Sequence, residues 1–164
     1  MQKGVGDKPW LINIGKNMNW NIYLSGEIHT DWRKQIKDGC NALNLSITFT
    51  SAVTDHEASD SAGDLLGKED DSFWRDHKSA KVNAIRTKTL IENCDLAIVR
   101  FGDKYKQWNA AFDAGQCAAL DTPYITLHDE DIIHPLKEVD ASAMAWATTP
   151  EQVVEILKYV ITKK

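Results

Sequence analysis

The segment NIYLSGEIHTDWRKQIKDGCNAL, residues 21–43, carries the clearest secondary-structure pattern of this chain. Residues 21–25 are typical of a short β-strand, and Gly26 ends that strand. A helix follows, because Thr30 or Asp31 can cap its first turn. The apolar residues of the helix share one face, which consists of Trp32, Ile36, Cys40 and Leu43. The segment therefore predicts a strand that is followed directly by a helix.

The same succession of strand and helix continues through the rest of the chain. Strand patterns occur at 45–50, 96–101, 123–128 and 144–147, and helical patterns occur at 80–93, 108–120 and from residue 150 onward. The last helix has the clearest start, with Thr149 as its cap, Pro150 in its first turn and Gln152 placed to complete a capping box. The alternation predicts one α/β domain over residues 19–164, with a doubly wound parallel sheet of five strands in the order 2-1-3-4-5 and helices on both faces.

Two of the predicted helices have clear inward faces. These faces consist of Val82, Ile85, Thr89 and Leu90 in one helix, and of Val153, Leu157 and Val160 in the other. Outside the regular elements, residues 1–18 predict an irregular extension that docks through Trp10. Residues 51–79 are polar and predict a long loop of the kind that forms lids. A further loop is predicted around His134 and Pro135.

Length, charge and cysteine content restrict the function classes. The 164 residues suit one domain, and a net charge of −5 with a pI of about 5.5 excludes a broad basic surface for polymeric nucleic acid, though not a pocket for a single nucleotide. No apolar run approaches the ~18 residues of a membrane span, and no signal-peptide core follows Met1. The three cysteines contain no CxxC pair, which favours a reducing compartment, and we expect a cytoplasmic protein.

The predicted sheet order places a ligand crevice. Ligands of doubly wound sheets bind beyond the carboxyl ends of the strands, where the strand order reverses, which here lies between the loops after strands 1 and 3. Gly26 and Gly102 permit close approach of a ligand to backbone, although a tight turn alone also explains a glycine. Glu27 and His29 are polar residues of the first loop. We therefore predict that these four residues contact substrate.

The helix after strand 3 places an acid at the same crevice. Asn109, Asp113 and Gln116 share one side of this helix. The residues predicted to face the sheet are Ala111, Ala114 and Ala118. Asp113 would then face the crevice as a nucleophile or general base at an anomeric carbon; the alternative is a solvent-exposed acid. The phenol of Tyr23, inside strand 1, is either a core aromatic or the group that holds this carboxylate.

The predicted loop after strand 2 groups four ionisable residues within six positions. Their spacing matches no familiar metal-ligand motif. Two alternatives remain: recognition of sugar hydroxyls by Asp55, His56 and Asp60, or a solvated loop without a ligand. No G-x-S-x-G elbow is present, and Cys94 and Cys117 look like small core residues. We expect neither a metal nor a cofactor.

Three blocks of the sequence resemble the YtoQ family. They are IYLSGEIHTDWR at 22–33, FGDKYKQWN at 101–109 and HPLKE at 134–138. The resemblance extends from about residue 21 to the C-terminus. YtoQ proteins are grouped with nucleoside 2-deoxyribosyltransferases, so the resemblance implies a flavodoxin-like fold and small-molecule nucleoside or nucleotide substrates. The implied fold agrees with the sheet order predicted from the pattern.

The resemblance also implies roles for single residues. Transferases of this superfamily carry a tyrosine in strand 1 and a small-residue turn after it, which Tyr23 and Gly26 match. Their helix glutamate attacks the anomeric carbon, and Asp113 takes its place. Asn109 stands where the family has a glycine, and Gln107 stands where the family has an aspartate that helps recognise or protonate the base. The nucleophile is therefore one methylene shorter and its helpers are changed.

Together these observations predict an enzyme that acts on the N-glycosidic bond of a nucleoside or nucleotide. Asp113 would attack the anomeric carbon and form a covalent glycosyl-enzyme, Tyr23 would orient it, and Asn109 would hydrogen-bond the sugar or the base. Trp108 and the crevice loops would contact substrate. The alternatives are a nucleoside hydrolase and a nucleoside- or nucleotide-binding module without turnover, which the changed residues Gln107 and Asn109 favour.

The tryptophans bear on assembly. Relatives in this superfamily form dimers or larger oligomers. Of the six tryptophans, Trp10, Trp32, Trp74 and Trp108 fall in or beside loops and helix starts, and aromatic residues are enriched at interfaces. We therefore predict a homodimer or a larger homo-oligomer.

Overall fold

The computed structural model describes residues 19–104 and 107–162, so the predicted extension 1–18 with its Trp10 lies outside the described residues. Within them, five strands form one sheet: β1 (Trp20–Gly26), β2 (Ile47–Ser51), β3 (Leu96–Arg100), β4 (Tyr124–Leu127) and β5 (Ala145–Ala147). The strand order is β2-β1-β3-β4-β5, and every neighbouring pair is parallel. The predicted α/β class and sheet order are confirmed.

Six α-helices connect and follow these strands in the described part of the chain. They are α1 (Trp32–Ala42), α2 (His56–Ser61), α3 (Ser72–Glu92), α4 (Trp108–Ala119), α5 (Ile133–Ser142) and α6 (Pro150–Thr162). Short 3₁₀ turns span Ala62–Leu66 and Glu130–Ile132. Over the residues that the structure describes, no helix is long and apolar enough to span a bilayer.

The sheet has a separate apolar core on each face. Successive side chains of a strand point to opposite sides, so Ile22 and Leu24 pack with α1 and α6, whereas Tyr23 packs with α3, α4 and α5. The central strands β1, β3 and β4 are buried almost throughout, which is typical of parallel strands covered on both faces. Full burial of Ile22 and Leu24 stabilises the fold by about 1.5–3 kcal/mol for each side chain.

The segment 51–79 is mostly helical, which corrects the prediction of a long loop. It contains α2, a 3₁₀ turn and the first turns of α3. The side chain of Asp55 accepts a hydrogen bond from the Ala58 amide at 2.7 Å, and that of Asp71 accepts one from the Trp74 amide at 3.2 Å. These two acids are helix caps, and the polar composition around them concealed the start signals.

The predicted inward face of α3 is wrong in part. Ile85 is 70% exposed and Thr89 is exposed, whereas Ser79 and Ile91 are buried. The reason is that α3 begins at Ser72, ahead of the predicted start, and packs its first half against α2 and the 3₁₀ turn. The buried side of α3 therefore differs from the face that was predicted from residues 82–90.

Two further residues that were predicted to lie on buried helix faces are partly exposed to solvent. Leu43 just after α1 is 40% exposed, and Val160 near the end of α6 is 41% exposed. Both lie at helix ends, where solvent reaches the apolar face. Val153 and Leu157, nearer the start of α6, are buried as predicted.

The caps of α6 follow the predicted box with one change. The Thr149 hydroxyl accepts a hydrogen bond from the Gln152 amide at 3.3 Å, as a capping box requires. The Gln152 side chain, however, accepts from the amide of Thr148 at 2.7 Å rather than from that of Thr149. His134 and Pro135 lie in the first turn of α5, which corrects the loop predicted around them. A proline fits a first turn because the N–H that it lacks would have no partner within the helix there.

Candidate active site

Asp113 of α4 and Ser25 of β1 form a buried pair at the carboxyl end of the sheet. The Ser25 hydroxyl donates a hydrogen bond to Asp113 Oδ2 at 2.5 Å. Ser25 is fully buried, and Asp113 is 9% exposed. The small side chains of Ala110 and Ala114, which are also buried, let α4 lie close to the strands. The sequence expected Ala118 on this face, but Ala118 is exposed and the buried residue is Cys117 instead.

Tyr23 lies on the same face of β1, two residues before Ser25. Its side chain is fully buried, and its hydroxyl makes no hydrogen bond of regular geometry to the described residues. Burial, and then the charge of Asp113, raise the pKa of the Tyr23 phenol far above its ordinary range. The phenol therefore stays neutral at physiological pH, beside the Asp113 carboxyl.

The surroundings of Asp113 act on its charge in opposite directions. Burial raises the pKa of the Asp113 carboxyl, and the hydroxyls of Ser25 and then Tyr23 oppose the shift, leaving the pKa above its usual value. Among the described residues, no lysine or arginine forms an ion pair with this carboxyl. Asp113 is thus a desolvated acid that the Ser25 hydroxyl binds and that the neutral Tyr23 phenol lies beside.

Glu27 stabilises the turn that follows β1. Its carboxylate is 4% exposed and accepts hydrogen bonds from the Thr30 amide at 3.0 Å and the Thr30 hydroxyl at 2.6 Å. It also accepts one from the amide of His29, a residue that is itself exposed. The sequence predicts that Glu27 and His29 contact substrate; the structure places both in the turn after β1, where the Glu27 oxygens already bind the turn.

Arg33 of α1 is a residue of this region to which sequence reasoning gave no role. Its guanidinium donates to the carbonyl oxygens of Gly26 at 3.0 Å and of Glu27, at the end of β1. It lies over the ring of Trp32, 4.4 Å from its centroid. Burial lowers the pKa of Arg33 to about 10, so the group remains charged at neutral pH. The signal for it was a charged residue one position after the buried Trp32, inside a block that resembles the family.

Two glycines bring the turn after β1 against the end of β3. Gly26 has φ +99, and a Cβ there would overlap the Arg100 carbonyl. A Cβ at Gly102 would overlap the Glu27 side chain. The amide of Glu27 also donates to the Arg100 carbonyl at 3.1 Å. Both glycines are therefore required for the two loops to meet. The loops meet where the sheet order predicts the crevice. Contact of the two glycines with substrate stays a prediction.

The first turn of α4 presents exposed residues. Asn109 is exposed one turn before Asp113, and Trp108 is 71% exposed. The Gln107 amide donates to the Lys104 carbonyl in the preceding loop. Asn109 and Trp108 thus lie in the exposed first turn of the helix that carries the buried carboxyl.

The acidic segment after β2 divides into caps and surface residues. The Asp55 carboxylate caps α2, as described above, and Asp60 is exposed while its carbonyl accepts from the Ser79 hydroxyl at 2.5 Å. His56 opens α2, and its side chain lies outside the described part of the chain. The structure therefore gives Asp55 a structural task and leaves contact between this segment and a ligand untested.

Metal and thiol chemistry have no evident site here. In residues 19–104 and 107–162, no group of three or more His, Cys, Asp or Glu side chains could hold a metal ion. The three cysteines are free thiols. Burial raises the pKa of Cys40 and Cys94 to about 11 and that of Cys117 to about 12, so each stays protonated and weakly nucleophilic at neutral pH.

Comparison of the sequence with known proteins gives one family. Residues 23–161 match the family described as nucleoside 2-deoxyribosyltransferase YtoQ. The chain is 38% identical over 144 residues to YtoQ of Bacillus subtilis strain 168, which is uncharacterized; the match covers 87% of this chain and 97% of that protein.

Two solved structures share the fold. A 2-deoxyribosyltransferase from the psychrotolerant bacterium Bacillus psychrosaccharolyticus has a TM-score of 0.52 and 19% identity, over 82% of this chain and 90% of its own. A conserved protein from Enterococcus faecalis V583 has a TM-score of 0.60 and 12% identity, over 87% of this chain and 99% of its own. At these identities the likeness shows the fold alone. The family match and the 38% identity show that this chain belongs to the YtoQ family of nucleoside 2-deoxyribosyltransferase-like proteins.

Proposed function

We propose that this protein cleaves the N-glycosidic bond of a nucleoside or nucleotide and transfers the sugar to a second base, with Asp113 as the nucleophile. The observation that carries the proposal is the Asp113 carboxyl itself. It is buried, bonded to Ser25 at 2.5 Å and paired with no lysine or arginine of the described residues. A carboxylate that neither water nor a cation stabilises keeps its reactivity towards an electrophilic carbon.

The reaction has two displacement steps. In the first, an oxygen of Asp113 attacks C1′ of the sugar while the bond from C1′ to the base nitrogen breaks. The base leaves with the bonding electron pair and takes up a proton from water, and a glycosyl ester remains on Asp113. In the second, a nitrogen of another base attacks C1′, the ester electrons return to Asp113, and the new base releases its proton to water. No cofactor or metal is needed, because the carboxylate supplies the covalent step.

Tyr23 is the group that we assign to orient the nucleophile. Its buried phenol faces the Asp113 carboxyl, and its raised pKa keeps it neutral throughout the reaction. A neutral donor can steady the carboxylate before attack without quenching it as a cation would. This role deepens the prediction that a strand-1 phenol holds the acid.

The substrate would enter over the exposed rim of the crevice. Asn109 would hydrogen-bond the sugar or base, because it lies exposed one turn before Asp113. Trp108 offers an exposed aromatic surface on the same turn. The other residues to which we assign substrate contact surround the ends of β1, β2 and β3, and are Gly26, Glu27, His29, Asp55, His56, Asp60 and Gly102. For Glu27 this contact is indirect, through the turn that its carboxylate holds.

The substrate class is supported by the relatives. The family description names nucleoside 2-deoxyribosyltransferases, and the Bacillus psychrosaccharolyticus protein of the same fold is a 2-deoxyribosyltransferase. We therefore propose 2-deoxynucleosides or their nucleotides as the first substrates to examine.

Base exchange tests the proposal directly. The protein is incubated with each common 2′-deoxynucleoside, or its 5′-monophosphate, and an isotopically labelled free base, and the labelled nucleoside is measured by mass spectrometry. We expect label in the nucleoside with the natural chain and none with Asp113→Asn. Asp121→Asn is the matched control, since it removes an exposed acid just after the same helix and should leave exchange unchanged.

The other outcomes identify the alternatives. Release of free sugar without exchange makes water the acceptor and the protein a hydrolase. Turnover of neither kind, with a nucleoside or nucleotide raising stability, contradicts catalysis and leaves a binding module. Such a ligand at a hundredfold excess over its Kd should add about 2.7 kcal/mol to the free energy of unfolding.

We also propose that the protein assembles with a second copy of itself. Of the tryptophans that motivated this prediction, Trp32 is only 2% exposed and belongs to the core, so it cannot contribute to an interface. Trp74 and Trp108 are 56% and 71% exposed, and Phe112 on α4 is 67% exposed. Light scattering at micromolar concentration should give at least double the 18.4 kDa mass of one chain; a mass near 18.4 kDa rejects the proposal.

A further inference from the structure

The Ser25 hydroxyl has an unusual partner for a buried strand residue. It donates to Asp113 Oδ2 at 2.5 Å, across 88 positions of sequence, and the serine side chain is fully buried. The backbone of Ser25 is already engaged by its register with Val99 of β3. The hydroxyl is therefore not needed for strand pairing, and among the described residues its hydrogen bond goes to the Asp113 carboxyl on α4.

The contact fixes one of the two carboxylate oxygens. Oδ2 is bound by Ser25, so a rotation of the Asp113 carboxyl costs that hydrogen bond. Oδ1 is not bound by Ser25 and is the oxygen that we assign to the reaction. The same closeness limits the length of the acid: at 2.5 Å there is no room for a further methylene between α4 and β1 unless the serine oxygen is removed.

We propose that Ser25 is a positioning residue that holds Asp113 Oδ2, so that Oδ1 is presented to C1′ of the substrate. The inference rests on the proposed function for its consequence in catalysis, but the anchoring of the carboxyl is a property of the protein without substrate. Ser25 and Asp113 then form a matched pair: a short acid together with a hydroxyl. Exchanging both members at once, for a long acid and no hydroxyl, should preserve what either single exchange destroys.

The first experiment measures the anchor without any substrate. Aspartate side chains are labelled with ¹³C, the Asp113 carboxyl signal is assigned by its loss in Asp113→Asn, and its titration is followed by NMR. The Ser25 hydroxyl lowers the pKa of Asp113, so Ser25→Ala should raise it. Ser79→Ala is the matched control: it removes another buried serine hydroxyl, which binds the Asp60 carbonyl and the Gly63 amide, and should leave the Asp113 titration in place.

The second experiment exchanges the pair in the base-exchange reaction. Asp113→Glu alone should lose at least about 100-fold in kcat with little change in KM, because the longer acid meets Ser25. The double variant with Ser25→Ala and Asp113→Glu should recover at least about 10-fold over Asp113→Glu. Ser25→Ala alone should lower kcat and move the acid limb of the pH profile to higher pH. A serine that only fills space would change stability and none of these readouts.

Each outcome decides the proposal. A raised pKa of Asp113 in Ser25→Ala, absent from Ser79→Ala, together with recovery in the double variant, supports it. An unchanged Asp113 titration overturns it, and so does a double variant no better than Asp113→Glu. If the natural chain exchanges no base, the proposed function fails by that result, and the titration alone then judges whether Ser25 anchors the carboxyl. Circular dichroism of each variant checks that the fold is kept.

Discussion

Two carboxylates lie on the same side of the sheet, the buried Asp113 and the partly buried Asp140, and they are held in different ways. In the Asp113 cluster (Tyr23, Ser25 and Asp113) a hydroxyl of β1 donates to the acid at 2.5 Å. In the Asp140 cluster (Thr126, His128 and Asp140) a hydroxyl of β4 donates to the acid of α5 at 2.7 Å. The arrangement of helix acid and strand hydroxyl is thus the same in both clusters.

The clusters differ in what completes them. Nε2 of the fully buried His128 lies 3.1 Å from Asp140 Oδ2, while its Nδ1 lies 2.9 Å from the Asp129 carbonyl oxygen. Asp140 therefore has two side-chain partners, one of them able to carry positive charge. Asp113 has the hydroxyls of Ser25 and Tyr23 beside it and no ion pair with a described residue, and burial raises the pKa of its carboxyl.

The different partners assign a structural role to Asp140 and a reactive role to Asp113. A partly buried acid with hydrogen-bonding partners on both oxygens stabilises the contact between a strand and a helix. A buried acid without such compensation costs stability, and active sites commonly retain such groups because the reaction uses them. The expected consequences separate the two clusters in activity, in stability and in pH dependence.

The largest expected difference is in activity. Asp113→Asn keeps the size of the side chain and removes the attacking charge, so base exchange should fall by at least about 10³-fold while substrate still binds. Asp140→Asn lies outside the proposed machinery and should change the rate per folded molecule much less. Initial rates of base exchange, with thermal shift for binding, check both. Equal losses of rate in the two variants would contradict the assignment.

Stability should respond in the reverse order. Asp140→Asn weakens the hydrogen bonds from Thr126 and His128, and hydrogen bonds to a charged group contribute about 1.5–3 kcal/mol, so we expect a loss of about 2–3 kcal/mol in the free energy of unfolding. Asp113→Asn should change it by less than about 1 kcal/mol, and in the stabilising direction. Urea denaturation measures both variants. A larger cost for Asp113→Asn would make that acid the structural one.

The free energy of unfolding should also depend on pH through the Asp113 carboxyl. The folded-state pKa of Asp113 lies above its value of 3.8 in the absence of burial, so the folded chain binds this proton more tightly than the unfolded chain. Stability attributable to this group therefore falls as pH rises from 3.8 through the folded-state pKa. The stability of Asp113→Asn minus that of the natural chain should grow over this window and stay constant above it. Denaturation curves across the acid range would show no such growth if the carboxyl were solvated.

The smallest effect concerns the strand hydroxyl of the Asp140 cluster. Thr126→Val keeps the shape of the side chain and removes one hydrogen bond to an acid that His128 still binds, so we expect a cost of about 1 kcal/mol. Thr122→Val, at a half-buried hydroxyl with a long 3.4 Å contact to the Ile91 carbonyl, is a control that should cost less. Urea denaturation under identical conditions ranks the two; no cost at Thr126 would show that His128 alone satisfies Asp140.

Local pattern was sufficient wherever the physical constraint was local. The apolar runs of β1, β3 and β4 follow from burial on both faces. The four-residue spacing of Asn109 and Asp113 puts both on one side of α4. Pattern failed over 51–79, because the caps Asp55 and Asp71 are single residues in a polar stretch and only their contacts distinguish them from surface acids.

The α/β class, the order of the five strands and the presence of Tyr23 and Asp113 on neighbouring elements follow from the pattern of residues along the chain. Its blocks also determined the family, because long shared stretches are specific. Three contacts could be seen only in the folded chain: Ser25 binds Asp113, Arg33 binds the carbonyls at the end of β1, and Glu27 binds its own turn. The reason is that hydrogen bonds are directional and act over about 3 Å, so their partners depend on how α1 and α4 are seated on the sheet. Residue periodicity fixes which face a side chain occupies, and the packing of that face fixes what the side chain touches.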